Sequence, residues 1–401
     1  MGRVIVCELA GGAGAPLDFS ELQPDYRVGR DALFDALEQD EAEVVVVRSA
    51  QNDPAAHECL RELSLRCPWI IRIQLNVEST ARYQTEAGDV ADASIPANAD
   101  AVSRIEYILE RTRPLIKRLR NPAIESLLGD LGELQPPPDQ VAGLNRMIDR
   151  QLNKDTAPVA PLFRGCTDYL KRLMELLNNP LFGCDRHLFS IDEAVRLVGL
   201  RTLRDLSLMA HIMQIFPQPE AWSSFSFEHL LSRSLACARL AERIAHSVGA
   251  DRISMANAFA AGLMHDFGMQ AMVCVDPGRY HRVMEKAAAL KQPIYAVEKL
   301  DYSLTHGELG ASILRRWGVA PRVVRAVLYH HVPKAAGDSA YSTLTAAHVA
   351  DAVVPPLFNA LDCHLGGQLS LTYLDTIGQM DKRSLWESMG VDHGRQLETY
   401  W

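Results

Sequence analysis

Residues 261–270 read AGLMHDFGMQ, with His265 directly beside Asp266 inside an otherwise apolar run. Burying two ionisable side chains is costly unless each finds a partner. The run therefore reads as core helix that carries chemistry, and similar residues recur downstream. His306 opens the stretch THGELGASILRRWGVA (305–320), His330 and His331 close VLYHH (327–331), and Asp351 sits inside AAHVADAVV (346–354). Imidazoles and carboxylates drawn from separate helices into a bundle core can hold one or two divalent ions. Such ions lower the pKa of bound water and supply hydroxide for phosphoester hydrolysis.

The flanking pattern is helical. Ser190-Ile-Asp-Glu193 forms a capping box before a face of Ile191, Ala194, Val195 and Val198. Gly199 ends that helix, and another starts near Thr202. A long helix covers Phe227 to Ser247, and more follow around 254–264, 279–290, 307–316, 320–330 and 342–353. Arg201, Arg204 and Lys171-Arg172 read as solvated faces of these helices. Arg233 does not. It lies on the stripe Leu230, Cys237, Leu240, Ile244, so the spacing aims a guanidinium at the bundle interior, towards Asp266 or Asp351.

Upstream of the punctuating LQPPPD (134–139), the signals alternate. Arg3–Cys7, the β-branched Val44–Val47 and Ile70–Leu75 are strand candidates, with helices at Arg30–Gln39, Pro54–Arg66 and Ala99–Arg118. That order predicts a parallel α/β sandwich. The fold class is thus multi-domain, an N-terminal α/β sheet followed by an all-α domain. The expected boundaries are 1–118, a helical linker 119–133, a helical domain 134–360 and a helical appendage 361–401. Gly11-Gly-Ala-Gly14 is not a phosphate loop, because Pro16 follows at once and no helix opens there.

Among 401 residues, 48% are hydrophobic and 23% charged, and the net charge is −9. Generic attraction to nucleic acid or anionic lipid is therefore not expected; the nearest local exception is the run Lys117, Arg118, Arg120. The eight cysteines form no CxxC pair and read as reduced thiols. The opening MGRVIVCELAGG lacks the features of a signal peptide. No window approaches the ~18 apolar residues that span a bilayer, so no membrane insertion and a cytoplasmic location are expected.

The words LLNNPLFG (176–183), SIDEAVRLVGLRTLRDL (190–206), FAAGLMHDFG (259–268), THGELGASILRRWGVA and VLYHH, in this order, resemble the HDOD family of bacterial signalling proteins. The resemblance covers about 134 to 355. It implies an all-helical relative of the HD and HD-GYP phosphohydrolases, serving as an output or scaffold module without established enzymatic activity. HD phosphohydrolases carry a histidine about one helix–turn–helix unit before the HD pair. In LLSRSLACARLA that slot holds Arg233. His229, one turn earlier, could replace the missing ligand only by rearrangement, since the two Cβ atoms would stand about 5–6 Å apart.

The N-terminal order resembles a CheY-type receiver, which holds Mg²⁺ with acids after the first strand, phosphorylates an aspartate at the end of the third and uses a lysine after the fifth. Here those places read Glu8-Leu9, Arg48 and Ile95-Pro96, and the stretch 11–24 replaces the first helix. An alignment shifted to Asp53 is disfavoured by Pro54. The expectation is a pseudo-receiver without phosphoacceptor, joined to a catalytically inactive output domain that acts on other signalling proteins, with homodimerisation possible. No catalytic residue, metal or cofactor is expected. Two alternatives stay open. His265, Asp266, His306, His330, His331 and Asp351 could form a divergent phosphohydrolase with Fe, Mn or Mg. The same pocket could bind a nucleotide second messenger without cleaving it, with Arg233 on the phosphate.

Overall fold

The structure is a computed structural model that describes residues 3–9, 22–50, 53–77, 90–98, 100–151, 158–180, 187–356, 361 and 363–398. Gly11–Gly14, most of the stretch 11–24, and positions 181–183 of LLNNPLFG lie outside the described residues. The chain divides into two compact units, Met1–Arg120 with Ser312–Val324, and Asn121–Ala311 with Arg325–Trp401. Ser312–Val324 thus groups with the first unit, although the expected helical domain ran unbroken from 134 to 360.

The first unit is built on five parallel strands, β1 (Val4–Glu8), β2 (Asp25–Val28), β3 (Val44–Ser49), β4 (Ile71–Asn76) and β5 (Ala93–Pro96), in the order β2-β1-β3-β4-β5. This is a doubly wound order. β3 is central, and all six of its residues are buried, as its unbroken β-branched run demands. Helices α1 (Arg30–Gln39) and α2 (Pro54–Arg66) cover Ile5, Cys7, Val45 and Val47 through Leu33, Cys59, Leu60 and Leu63. Helix α3 (Ala101–Leu119) covers the other face, packing Ile105 and Leu109 on Val44, Val46, Ile71 and Ile73.

Arg48 lies at the end of β3, one residue before Ser49. One positional expectation needs correction: Ile95 and Pro96 are the last residues of β5, so Ala97 and Asn98 follow it. Asp53 is the N-cap of α2, accepting from the Ala55 amide at 2.9 Å. A buried ion pair ties Arg315 into this unit: its guanidinium donates to Asp92 at 2.6 and 3.0 Å and to the carbonyls of Pro68 and Ile70.

The second unit is helical: α4 (Pro122–Asp130), α5 (Asp139–Gln151), α6 (Thr167–Leu177), α7 (Ile191–Ile215), α8 (Phe227–Ser247), α9 (Arg252–Met264), α10 (Phe267–Val275), α11 (Pro277–Leu290) and α12 (Ile294–Tyr302). Next come α13 (His306–Arg316) and α14 (Pro321–Tyr329), each with residues in both units, then α15 (Thr343–Val353), α16 (Leu371–Thr376) and α17 (Arg383–Glu398). Gly199 breaks α7 with a left-handed φ of 80°. Helices α8 and α9 cross closely because Gly262 lacks a Cβ, which would stand 2.7 Å from the Cys237 carbonyl oxygen. Helix α15 packs on both.

Arg204 is not solvated, contrary to its sequence reading. Its side chain bonds the buried Asp205 carboxylate at 2.8 Å. The 252–275 stretch also corrects the statement that no window is long and apolar enough to cross a membrane: one passes that test, and 89% of it is buried inside the fold. It is two core helices, α9 and α10, meeting at the His265-Asp266 corner.

Candidate functional site

His265 is the C-cap of α9 and Asp266 the N-cap of α10. The Asp266 carboxylate makes no capping bond, so the corner turns it inward instead. Arg233 reaches it from the second turn of α8, Asp351 from α15, His306 from the first position of α13, and His330 and His331 from just beyond α14. Arg233, His265, Asp266, His306, His330 and Asp351 are each at most 1% exposed. All six predicted HD-type residues and Arg233 therefore meet in one buried cluster. His229, by contrast, is exposed.

The Arg233 guanidinium fills one side of the cluster. One terminal nitrogen donates to Asp266 Oδ2 at 3.2 Å and faces His265 Nε2 at 3.3 Å. The other donates to Asp351 Oδ1 at 2.8 Å and to the Asp351 carbonyl at 2.7 Å. Nε donates to the Pro355 carbonyl at 3.0 Å. A guanidinium has five N–H donors, and four of them are engaged by Asp266, Asp351 and the Asp351 and Pro355 carbonyls. Burial works against the charge, but the surrounding acidic groups, Asp351 and Asp266 among them, outweigh it and hold Arg233 protonated. Both carboxyls lie well below the usual range in spite of burial, Asp351 because of Arg233 and His265, and Asp266 because of His265, His306 and His330.

The other side of the cluster is built differently. His330 Nε2 stands 3.4 Å from His306 Nε2, which stands 3.1 Å from His331 Nε2. Asp266 Oδ1 lies 3.3 Å from His306 Nε2 and 3.6 Å from His330 Nε2, and has no hydrogen-bond partner. Ligands bonded at about 2.1 Å to one ion stand about 3.0–3.4 Å apart. Asp266, His306, His330 and His331 therefore fit a single divalent ion. Three imidazoles favour zinc or iron over magnesium. Cys237, His265 and Asp351 also converge, but there the guanidinium already bonds Asp351.

Residues outside the expected set orient these rings. Glu298 of α12, fully buried, accepts from His306 Nδ1 at 2.7 Å, from the His306 amide at 2.9 Å and from the Tyr280 hydroxyl at 2.6 Å. The Val327 carbonyl accepts from His330 Nδ1 at 2.7 Å, which turns Nε2 towards the cluster. This is the outer support that metal-ligating histidines usually have. His348, one turn before Asp351, bonds the His330 carbonyl at 2.6 Å. Burial works against imidazolium at His265 and His306. Asp266 and Asp351 nevertheless push His265 up to about 9, while Glu298 and Asp266 push His306 up to about 10. At His331 burial prevails, with help from His330, and the pKa falls well below the usual imidazole range. Glu298 was findable, being four residues after Ile294 and four before Tyr302 on the buried stripe of α12.

A strap closes the site. Leu365, Gly366 and Gly367 are buried, and the Ser370 amide anchors the segment by donating to His348 Nε2 at 3.0 Å. A Cβ on Gly366 would stand 2.8 Å from the Arg233 guanidinium, and one on Gly367 would overlap Asp351 Oδ2. Gly367→Ala is expected to lower the unfolding free energy by about 1–3 kcal/mol through this overlap. Gly129→Ala, in a helix with open space around it, should instead be neutral or gain about 0.4–1 kcal/mol. Urea midpoints measure both, and equal midpoints would show that the strap does not press on Asp351.

Residues 137–333 match the model of the HDOD domain. An HDOD domain protein of unknown function from Geobacter sulfurreducens has a similar solved structure, with a TM-score of 0.53 and 22% identity over 72% of this chain and 99% of that one. A solved chain from Marinobacter aquaeolei VT8 has a TM-score of 0.50 at 15% identity, covering 85% of this chain and 70% of that one. Among curated proteins, an uncharacterized protein of Treponema pallidum (strain Nichols) is 23% identical over 209 residues, 51% of this chain. This chain spans 39% of that relative's length. Asp351 and the strap lie beyond the matched stretch, yet complete the same cluster. With its HD corner, its three further histidines and its helical frame in place, residues 137–333 of this chain are similar to an HDOD domain.

Proposed function

We propose that this chain is a signalling output protein that acts by binding other proteins, and that its HD-type pocket does not hydrolyse phosphoesters. The observation that carries this reading is the Arg233 guanidinium bonded to both Asp266 and Asp351. A fixed cation balances those carboxylates as a metal would, but it offers no vacant coordination position at which water could become hydroxide. The strap and the burial of Arg233, Asp266 and Asp351 also set the arginine-filled side of the cluster away from solvent. Arg233 already bonds two carboxylates and two carbonyls, which weighs against a nucleotide sensor built on this arginine.

In the same reading the α/β unit is a receiver that has lost its phosphoryl chemistry. Arg48 stands where a receiver keeps its phosphoacceptor and lies 3.6 Å from Glu8, the acid at the end of β1. The partners are cytoplasmic signalling proteins, a second copy of the chain among them. A second reading is favoured by the orphaned Asp266 Oδ1 facing His306 and His330. One ion held by Asp266, His306, His330 and His331 would supply Lewis acidity for a one-metal hydrolase.

Three measurements on the purified chain test these readings. Fewer than two ions per chain, no turnover of a nucleotide and cyclic-dinucleotide panel with added manganese or iron, and no label from acetyl phosphate are expected. Turnover that disappears in Asp266→Ala would replace the first reading with the second.

A further inference from the structure

Two residues of the basic run noted in the sequence, Lys117 and Arg120, line a groove of the α/β unit. A cavity of about 990 Å³ opens where β1, β3 and β4 begin, at the opposite end of the sheet from Arg48. Five cations line it, Arg3, Arg66, Arg113, Lys117 and Arg120, against two carboxylates, Glu41 and Glu43. In a chain of net charge −9 this is a local reversal of sign. Three of the cations are engaged. Arg3 pairs with Asp25 at 2.5 Å, Arg113 with Glu43 at 2.5 Å, and Arg66 with Glu38 and Glu62 at 3.1 Å. Lys117 and Arg120 are exposed and make no ion pair among the described residues. The Arg120 guanidinium stands 6.0 Å from the Trp69 ring centroid, a cation–π distance that holds it at the groove. Trp69, Ile71 and Ile116 add apolar lining.

We propose that this groove binds a nucleoside phosphate, with the phosphates on Lys117 and Arg120 and the nucleoside against the apolar lining. The cavity lies at the upper end of the about 300–1,000 Å³ typical of small-molecule sites, which suits a nucleotide. Arginine and lysine at its rim supply the donors that phosphate oxygens require. A purely structural account is that Lys117 and Arg120 only complement the C-terminal dipole of α3; that account predicts no ligand.

Calorimetric titration of the full chain at low salt separates the two, with ATP, GTP, adenosine and inorganic pyrophosphate as probes. ATP or GTP is expected to bind, more weakly as salt screens the phosphates, and adenosine is expected to give no heat. The charge-reversed pair Lys117→Glu with Arg120→Glu should weaken binding by about 30-fold or more with an unchanged circular dichroism spectrum. Trp69→Leu should weaken the nucleotide but not pyrophosphate. The proposal is overturned if no probe binds below about 1 mM, about −4 kcal/mol of affinity. It is equally overturned if the charge-reversed chain binds as tightly as the native one, or if pyrophosphate binds as tightly as ATP.

Discussion

Arg233→Ala is expected to lower the unfolding free energy by about 3–5 kcal/mol, the range for removing one partner from a buried ion pair. The guanidinium is fully buried and bonds two carboxylates and two backbone carbonyls. Deleting it strands Asp266 and Asp351 away from water. His265 can compensate only in part, because it already stands 3.0 Å from Asp266 and 3.4 Å from Asp351 in the native arrangement. Arg233→Lys keeps the charge but not the planar fork, so it should fall between the native chain and the alanine variant. Pairing Arg233→Met with Asp351→Leu removes both ends of the closer ion pair, 2.8 Å, and should recover part of the loss, a coupling that a double-mutant cycle reads directly. Urea denaturation followed by circular dichroism measures all of these chains, with Arg233→Met and Asp351→Leu alone to complete the cycle. A loss below about 1 kcal/mol, the range of exposed pairs, would contradict the buried network.

The reach of the sequence ended where tertiary contact began. Arg233 could be placed because helical spacing alone puts it on the apolar stripe from Leu230 to Ile244, and a cation on such a stripe must have an acidic partner. His265, Asp266 and Asp351 were visible by the same logic, as charges inside apolar runs. Central strands β1, β3 and β4 were legible from β-branched runs, whereas β2 and β5, four residues each, were too short to show a period. Glu298 passed unnoticed because IYAVEKLDY reads as an ordinary polar face unless its stripe is counted. Arg204 was misplaced since its partner, Asp205, is an adjacent residue whose burial no periodicity reveals. Gly366 and Gly367 carry no local signature either: their need for a missing Cβ arises only from the approach of Arg233 and Asp351. Nor could spacing divide the cluster into an arginine-filled side and a side fit for one ion, which depends on where Asp266 directs each of its two oxygens.

That division leads to a second large effect. Arg233→His, which restores the residue that HD phosphohydrolases carry at this position, is expected to change how many ions the chain can hold. In the native chain the guanidinium bonds His265, Asp266 and Asp351, leaving one set of ligands at Asp266, His306, His330 and His331. An imidazole in its place removes the fixed charge and all five donors, and adds a ring nitrogen beside two carboxylates that need a cation. The variant should then be as unstable as Arg233→Ala in chelator, for the same electrostatic reason. Manganese at about 1,000 times its dissociation constant should restore about 4 kcal/mol, the stabilisation that mass action gives a ligand bound only by the folded chain. Elemental analysis after desalting should count two ions per variant chain, against at most one in the native protein. Manganese that rescues neither stability nor stoichiometry would mean that Arg233 fills a space no second ion can enter. The guanidinium would then be part of the core packing rather than a substitute for a metal.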